Sequence, residues 1–136
     1  MNIVGIAGFA VIAQDFAPSK TLFLDVLGLP LKQKEDYLSV DGFEGSKHFG
    51  VWTLKLAAES CFGQSDWPRD LPEPQATIEF ELESVAAVQA AVEEMKAKGY
   101  LFVHESRLEP WGQTVARFMS PEGILVGLSY APWFHK

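Results

Sequence analysis

A single cysteine, Cys61, stands among 136 residues. It has no partner for an internal disulfide and cannot by itself build a thiolate zinc site, so no disulfide framework is expected. Positive charge is scarce too: 11 Lys and Arg against 18 Asp and Glu give a formal charge of −7. No two basic residues are adjacent. Phosphate neutralisation needs a basic face, so neither nucleic acid nor an anionic membrane surface is an expected partner. With 11 Gly and 8 Pro the chain is neither collagen-like nor low-complexity. The apolar run from Ile3 to Ala13 is too short to span a bilayer. No basic flank precedes it, and Gln14-Asp15 follows instead of a cleavage signal. It reads as a buried strand, and the expected compartment is cytoplasmic.

What is present is apolar and aromatic. With 48% hydrophobic residues, 10 Phe and 4 Trp, the chain has ample material for one globular core. A segment rich in Pro, Gly and polar residues, 60–75, divides it into modules 1–59 and 76–136. Each opens with a strand and then a helix. In the first, Ile6 to Ala13 is the strand. A helix follows from about Pro18, with stripe Leu22, Phe23, Val26 and Leu27 and a glycine cap at Gly28. In the second, Ile78, Phe80 and Leu82 alternate with Thr77, Glu79, Glu81 and Glu83. Ser84 caps a helix with stripe Val85, Val88, Val92 and Met95, closed by Gly99.

Further strands follow each glycine, at 30–34, 37–40 and 48–54, then at 101–105, 114–119 and 124–130. Ser120-Pro121-Glu122-Gly123 is the turn between the last two. The fold class is therefore α+β. Two βαβββ modules form a curved mixed sheet around a concave cavity, with helices on the outer face.

Several segments resemble the vicinal oxygen chelate superfamily of glyoxalases, extradiol dioxygenases and bleomycin-resistance proteins. The stretch from Asp15 to Leu29 resembles its first helix, with Asp25-Val26-Leu27-Gly28-Leu29 at the end. Phe80-Glu81-Leu82 resembles the strand opening the second module. Phe118-Met119-Ser120-Pro121-Glu122-Gly123 resembles the terminal hairpin, with Ser120 where Asp is usual. Glu109-Pro110-Trp111-Gly112 is similar to a segment of the bleomycin-resistance branch.

The resemblance implies divalent-metal ligands on the first strand of each module and on its closing strand. Those positions fall on Gly8, Thr77 and Gly127, while the first module's remaining ligand position is not placed, because residues 30–55 match the pattern poorly. Glycine offers no donor, and a threonine hydroxyl is a poor ligand for Mn, Ni, Fe or Zn. No metal and no cofactor are therefore expected. His48, His104 and His135 lack ligand spacing, and no phosphate loop or dinucleotide glycine fingerprint occurs.

Strand parity nominates the cavity lining. If Thr77 faces it, so do Glu79 and Glu81, with Gly8, Ala10 and Ile12 from the first strand. Leu125, Gly127 and Ser129 join them from the last strand. The walls are expected from aromatic residues, chiefly Trp111, with Trp52 and Phe43, and after them Trp67. Arg107 and Arg117 read as solvated or ion-paired strand residues.

Trp111, Glu79, Glu81, Trp52, Phe43, Thr77 and Ile12 are thus the candidate ligand contacts, and no catalytic residue is assigned. The expected function is metal-free binding of a cationic or aromatic small molecule, sequestered without chemistry. The alternative is an enzyme of the same superfamily with Glu79 or Glu81 as base, or with a relocated metal. A homodimer is expected, because a half-open sheet would leave Ile12 and Leu125 needing cover.

Overall fold

Each half of the sequence folds as a strand, a helix and three strands, and the two halves join through their first strands. The computed structural model describes residues 1–135. Module one comprises β1 (Gly5–Ala13), α1 (Phe16–Lys20) with a π-helical continuation (Thr21–Val26), β2 (Lys32–Lys34), β3 (Tyr37–Asp41) and β4 (His48–Thr53). The connector carries α2 (Leu54–Phe62). Module two comprises β5 (Ala76–Glu81), α3 (Val85–Ala97), β6 (His104–Leu108), β7 (Thr114–Met119) and β8 (Leu125–Tyr130), and the 3-10 turn Pro132–Phe134 follows.

The strands form one eight-stranded sheet in the order β2-β3-β4-β1-β5-β8-β7-β6. β1 is parallel to β4 and β5 is parallel to β8, so each module has the same internal order. The antiparallel pair β1–β5 is the seam, with Gly8 opposite Glu79 and Ala10 opposite Thr77.

Alternation assigns the faces. Phe80 and Leu82, with Ala116, Phe118 and Leu128, pack under Val88, Ala91 and Val92 of α3. Leu82 and Val88 are fully buried, each worth about 1.5–3 kcal/mol of burial. Ser84 caps α3 as expected, its hydroxyl accepting from the Ala87 amide at 3.0 Å. Under α1 the cluster is Ala13, Leu31, Leu38 and Val51, with Phe16, Phe23, Leu24 and Phe49 against it.

Three expectations need correction. First, the helix after β1 turns inward on Phe23 and Leu24, while Leu22, Val26 and Leu27 stay exposed. Its wider π-helical turns, with the Leu27 amide bonded to the Leu22 carbonyl at 2.9 Å, rotate the stripe away from α-helical spacing. Second, α2 is a helix that the sequence reading missed. It starts where Thr53 caps the Leu56 amide and stops at Gly63, whose φ of +70° is left-handed. Third, α2 and Trp67 cover Ile12 and Leu125, so these two residues provide no reason for chain pairing. Among the described residues no helix is long and apolar enough to cross a membrane.

Candidate functional site

The sheet face opposite α1 and α3 forms a cavity of about 900 Å³, open to solvent and spanning both modules. Its lining includes Gly8 and Ala10 of β1, Thr77 and Glu79 of β5, and Arg117 of β7. Tyr37, Ser39, Asp41, His48 and Trp52 come from β3 and β4. The mouth is framed by Trp111 and by Trp133 and Phe134 of the C-terminal turn. Five acidic and three basic side chains line it, yet much of that charge is already paired.

The module-two wall is built around Arg117, only 2% exposed. Its guanidinium lies 3.2 Å from Glu109 and 3.6 Å from Glu79, and it donates to His104 Nε2 at 3.1 Å. It also lies 5.7 Å from the centre of the Trp52 ring. Gln113 ties the wall to the mouth. Its amide nitrogen donates to Glu79 at 3.1 Å and to Ser129 at 2.7 Å, and its oxygen accepts from the Trp111 indole at 2.9 Å. The loop holding these groups is closed by the Glu109 amide to the Gln113 carbonyl and the Gly112 amide to the Glu109 carbonyl. A buried pair of this kind is costly wherever a polar atom lacks a partner, and Arg117 Nε is the atom here that lacks one among the described residues.

His104 must remain neutral to accept from Arg117. Burial, reinforced by the charges of Arg117 and Arg107, pushes its pKa from 6.5 down to about 4, against the opposing bond to the Glu105 carbonyl. The unfolded imidazole takes a proton first as pH falls, so stability is lost between about 6.5 and 4 and is fully retained above that window. Urea melts across this range should show His104→Gln losing that part of the acid sensitivity.

The module-one wall carries a different arrangement. The Tyr37 hydroxyl is 2.7 Å from His48 Nε2, and His48 Nδ1 is 2.6 Å from Asp41. Two glycines make room for it. A Cβ at Gly8 would lie 3.1 Å from His48 Cβ, and one at Gly50 would lie 3.1 Å from the Tyr37 ring. On the other side of β5, where Gly127 pairs with Glu79, a Cβ at Gly127 would lie 3.0 Å from Glu79 Cγ. Two of the three positions where the resemblance implied metal ligands, Gly8 and Gly127, thus cede their volume to other polar side chains. Among the described residues no three His, Cys, Asp or Glu side chains converge as a ligand set. The groups present do not fit the superfamily's metal.

Of the seven nominated contacts, Trp111, Trp52, Glu79 and Thr77 line the cavity. Glu81 does not. Fully buried, it accepts from the Ala131 amide at 2.6 Å and pairs with His135 at 2.7 Å beneath the C-terminal turn. Ile12 is sealed under α2, and Phe43 is exposed on the loop between β3 and β4, outside the lining. Trp67 is likewise away from the cavity, its indole donating to the Pro72 carbonyl. Cys61 is buried in α2, and burial pushes its thiol up to about 11, which leaves it inert.

Sequence reasoning missed Tyr37, His48, Gln113 and the Trp133-Phe134 turn. It read Arg117 as a solvated or ion-paired strand residue, and the ion pairs are present but buried in the cavity wall. The available signal for Arg117 was parity: between Ala116 and Phe118, which face α3, it must point into the cavity.

A sequence family described as Glyoxalase/Bleomycin resistance protein/Dioxygenase superfamily matches residues 5–128. No curated protein matches the sequence significantly. Among solved structures, a glyoxalase/bleomycin resistance protein/dioxygenase superfamily member from Vibrio splendidus is 17% identical with a TM-score of 0.56, covering 93% of this chain and 97% of that one. The methylmalonyl-CoA epimerase of Streptomyces coelicolor, in complex with 2-nitronate-propionyl-CoA, is 12% identical with a TM-score of 0.54. That match covers 96% of this chain and 99% of the epimerase. The Mn(II)-bound glyoxalase from Novosphingobium aromaticivorans is 20% identical with a TM-score of 0.57, over 94% of this chain and 39% of the glyoxalase. At these identities the likeness is one of fold.

Proposed function

Because the chain belongs to the glyoxalase/bleomycin resistance protein/dioxygenase superfamily, we propose that it uses the superfamily's concave face to bind an organic small molecule without a metal. The ligand is aromatic and carries oxygen acceptors. One observation carries this reading. Trp52 Nε1, Thr77 Oγ1 and Arg117 Nε are buried polar atoms with no hydrogen-bond partner among the described residues, and all three side chains line the cavity. An unsatisfied buried polar group costs about 1–3 kcal/mol. Each of these atoms is turned away from the open cavity, so a ligand oxygen recovers that energy where binding lets the side chain turn toward it.

Aromatic surfaces at Trp52, Trp111, Trp133 and Tyr37 suit a flat molecule, which they can stack against at little entropic cost. Support for a cationic ligand is weaker than the net charge suggested, because Glu79 and Glu109 are already engaged by Arg117 and Arg107. The alternative, an enzyme of the same superfamily, gains nothing from Glu81, which is sealed away. Its support comes from the hydrogen-bonded chain of Tyr37, His48 and Asp41.

Calorimetric titration with a panel of monocyclic phenols and aromatic ketones tests the reading. Trp111 is 51% exposed, so Trp111→Ala should weaken binding by about 1–3 kcal/mol with the melting temperature nearly unchanged. Unaltered affinity in that variant, or a large loss of stability, would count against a contact at the mouth.

A further inference from the structure

The module-one wall does more than shape the cavity. Asp41 can only accept, which assigns a proton to His48 Nδ1 and leaves Nε2 of the neutral ring as an acceptor. The Tyr37 hydroxyl therefore donates to Nε2; the Ser39 hydroxyl approaches one lone pair of its oxygen, and the other remains for a ligand. We propose that Tyr37, backed by His48 and Asp41, is a proton-accepting site for the acidic hydroxyl of a bound phenol or enol.

In the step, the ligand O–H bond breaks and its proton forms a new bond to Tyr37 Oη. The original Tyr37 proton moves to His48 Nε2. The ligand is left as an oxyanion and His48 as an imidazolium against the Asp41 carboxylate. No oxidant, metal or co-reactant enters, and the charges balance within the cavity.

The arrangement is suited to a relay and poorly suited to a free tyrosinate. Burial first, and then the charges of Glu79 and Asp41, raise the Tyr37 pKa well above its ordinary value, so the phenol keeps a proton throughout. Glu79 from β5 and Arg117 from β7 are the charged groups that act on it from outside its own hairpin. The guanidinium of Arg117 lines the same cavity, but Glu79 and Glu109 already offset its charge, so the oxyanion is balanced chiefly by the His48 imidazolium. The glycines at 8 and 50 show how closely the backbone is fitted to these rings: a side chain at either would press on His48 within 3.3 Å.

The inference rests on the binding reading above, and one experiment separates the two. A nitrophenol whose own pKa lies well above the imidazole range is titrated into the protein at a mildly alkaline pH about one unit below that value. There the free phenol is mostly protonated and an imidazole is neutral, and the phenolate absorption band is read at saturation. Binding itself is followed by tryptophan fluorescence. In the wild-type protein the bound ligand should be about tenfold more ionised than free ligand, equivalent to about one unit of pKa. Tyr37→Phe and His48→Gln should abolish that excess per bound ligand, and Asp41→Asn, at an exposed position, should reduce it.

Saturable binding with no excess phenolate in the wild type would overturn the relay and leave the binding site standing. An excess that persists in Tyr37→Phe would also overturn it, assigning the effect to Arg117. No binding of the nitrophenol, of p-cresol or of any phenol in the panel would overturn both readings.

Discussion

Arg117→Met should destabilise the protein by about 3–5 kcal/mol, the range for removing one partner of a buried ion pair. The guanidinium sits between Glu79 and Glu109 and is 2% exposed, while Glu109 is 5% exposed. Methionine fills much of the volume but leaves Glu79 without its cation, buried Glu109 with only the partly exposed Arg107, and His104 Nε2 without its donor. Neutralising the partners in the same chain, as Arg117→Met with Glu79→Gln and Glu109→Gln, should recover a large part of the loss. Chemical denaturation of the two variants gives the comparison. A single variant as stable as the wild type would mean the network contributes nothing to the fold.

Gly8→His should be nearly as damaging, at about 3 kcal/mol, the upper range for overpacking a closed site. Its Cβ would meet His48 Cβ at 3.1 Å and the His48 carbonyl oxygen at 3.2 Å, and a strand backbone has little freedom to retreat. Placing a histidine where the superfamily resemblance implies a metal ligand should not create a metal site, since Thr77 and Gly127 still supply no strong ligand. Melting curves with and without added Ni, Mn or Zn decide this. A folded variant strongly stabilised by one of these ions would contradict the packing argument.

The parts of the fold legible in the sequence were those set by local rules. Period-2 alternation at Ile78, Phe80 and Leu82 and the serine cap at Ser84 were sufficient for β5 and α3. α2 was hidden because Val51-Trp52-Thr53-Leu54-Lys55-Leu56 continues the alternation of β4 past the true strand end. The signals against that reading were the Ala57-Ala58 pair, the cap at Thr53 and the stop at Gly63.

The candidate site divides in the same way. Parity alone was enough to bring Thr77 and Glu79 to the cavity. It failed for Glu81 because the chain after β8 folds back over that carboxylate. Tyr37, His48 and Asp41 meet through the β3–β4 register, in which Asp41 faces His48 directly, and no local pattern encodes that register. The Arg117 network requires a loop to return Glu109 to the next strand, again a tertiary matter.

The central claim is that this cavity binds an oxygen-bearing aromatic molecule using protein groups alone. Side-chain NMR on chelator-treated protein titrated with p-cresol tests it most directly. The account predicts saturable shifts at the indole N–H of Trp52 and Trp111 and at the Tyr37 ring, unchanged when Mn-free, Ni-free and Zn-free protein is compared with untreated protein. Shifts that appear only after a divalent metal is restored, or that map to the outer helices, would contradict it.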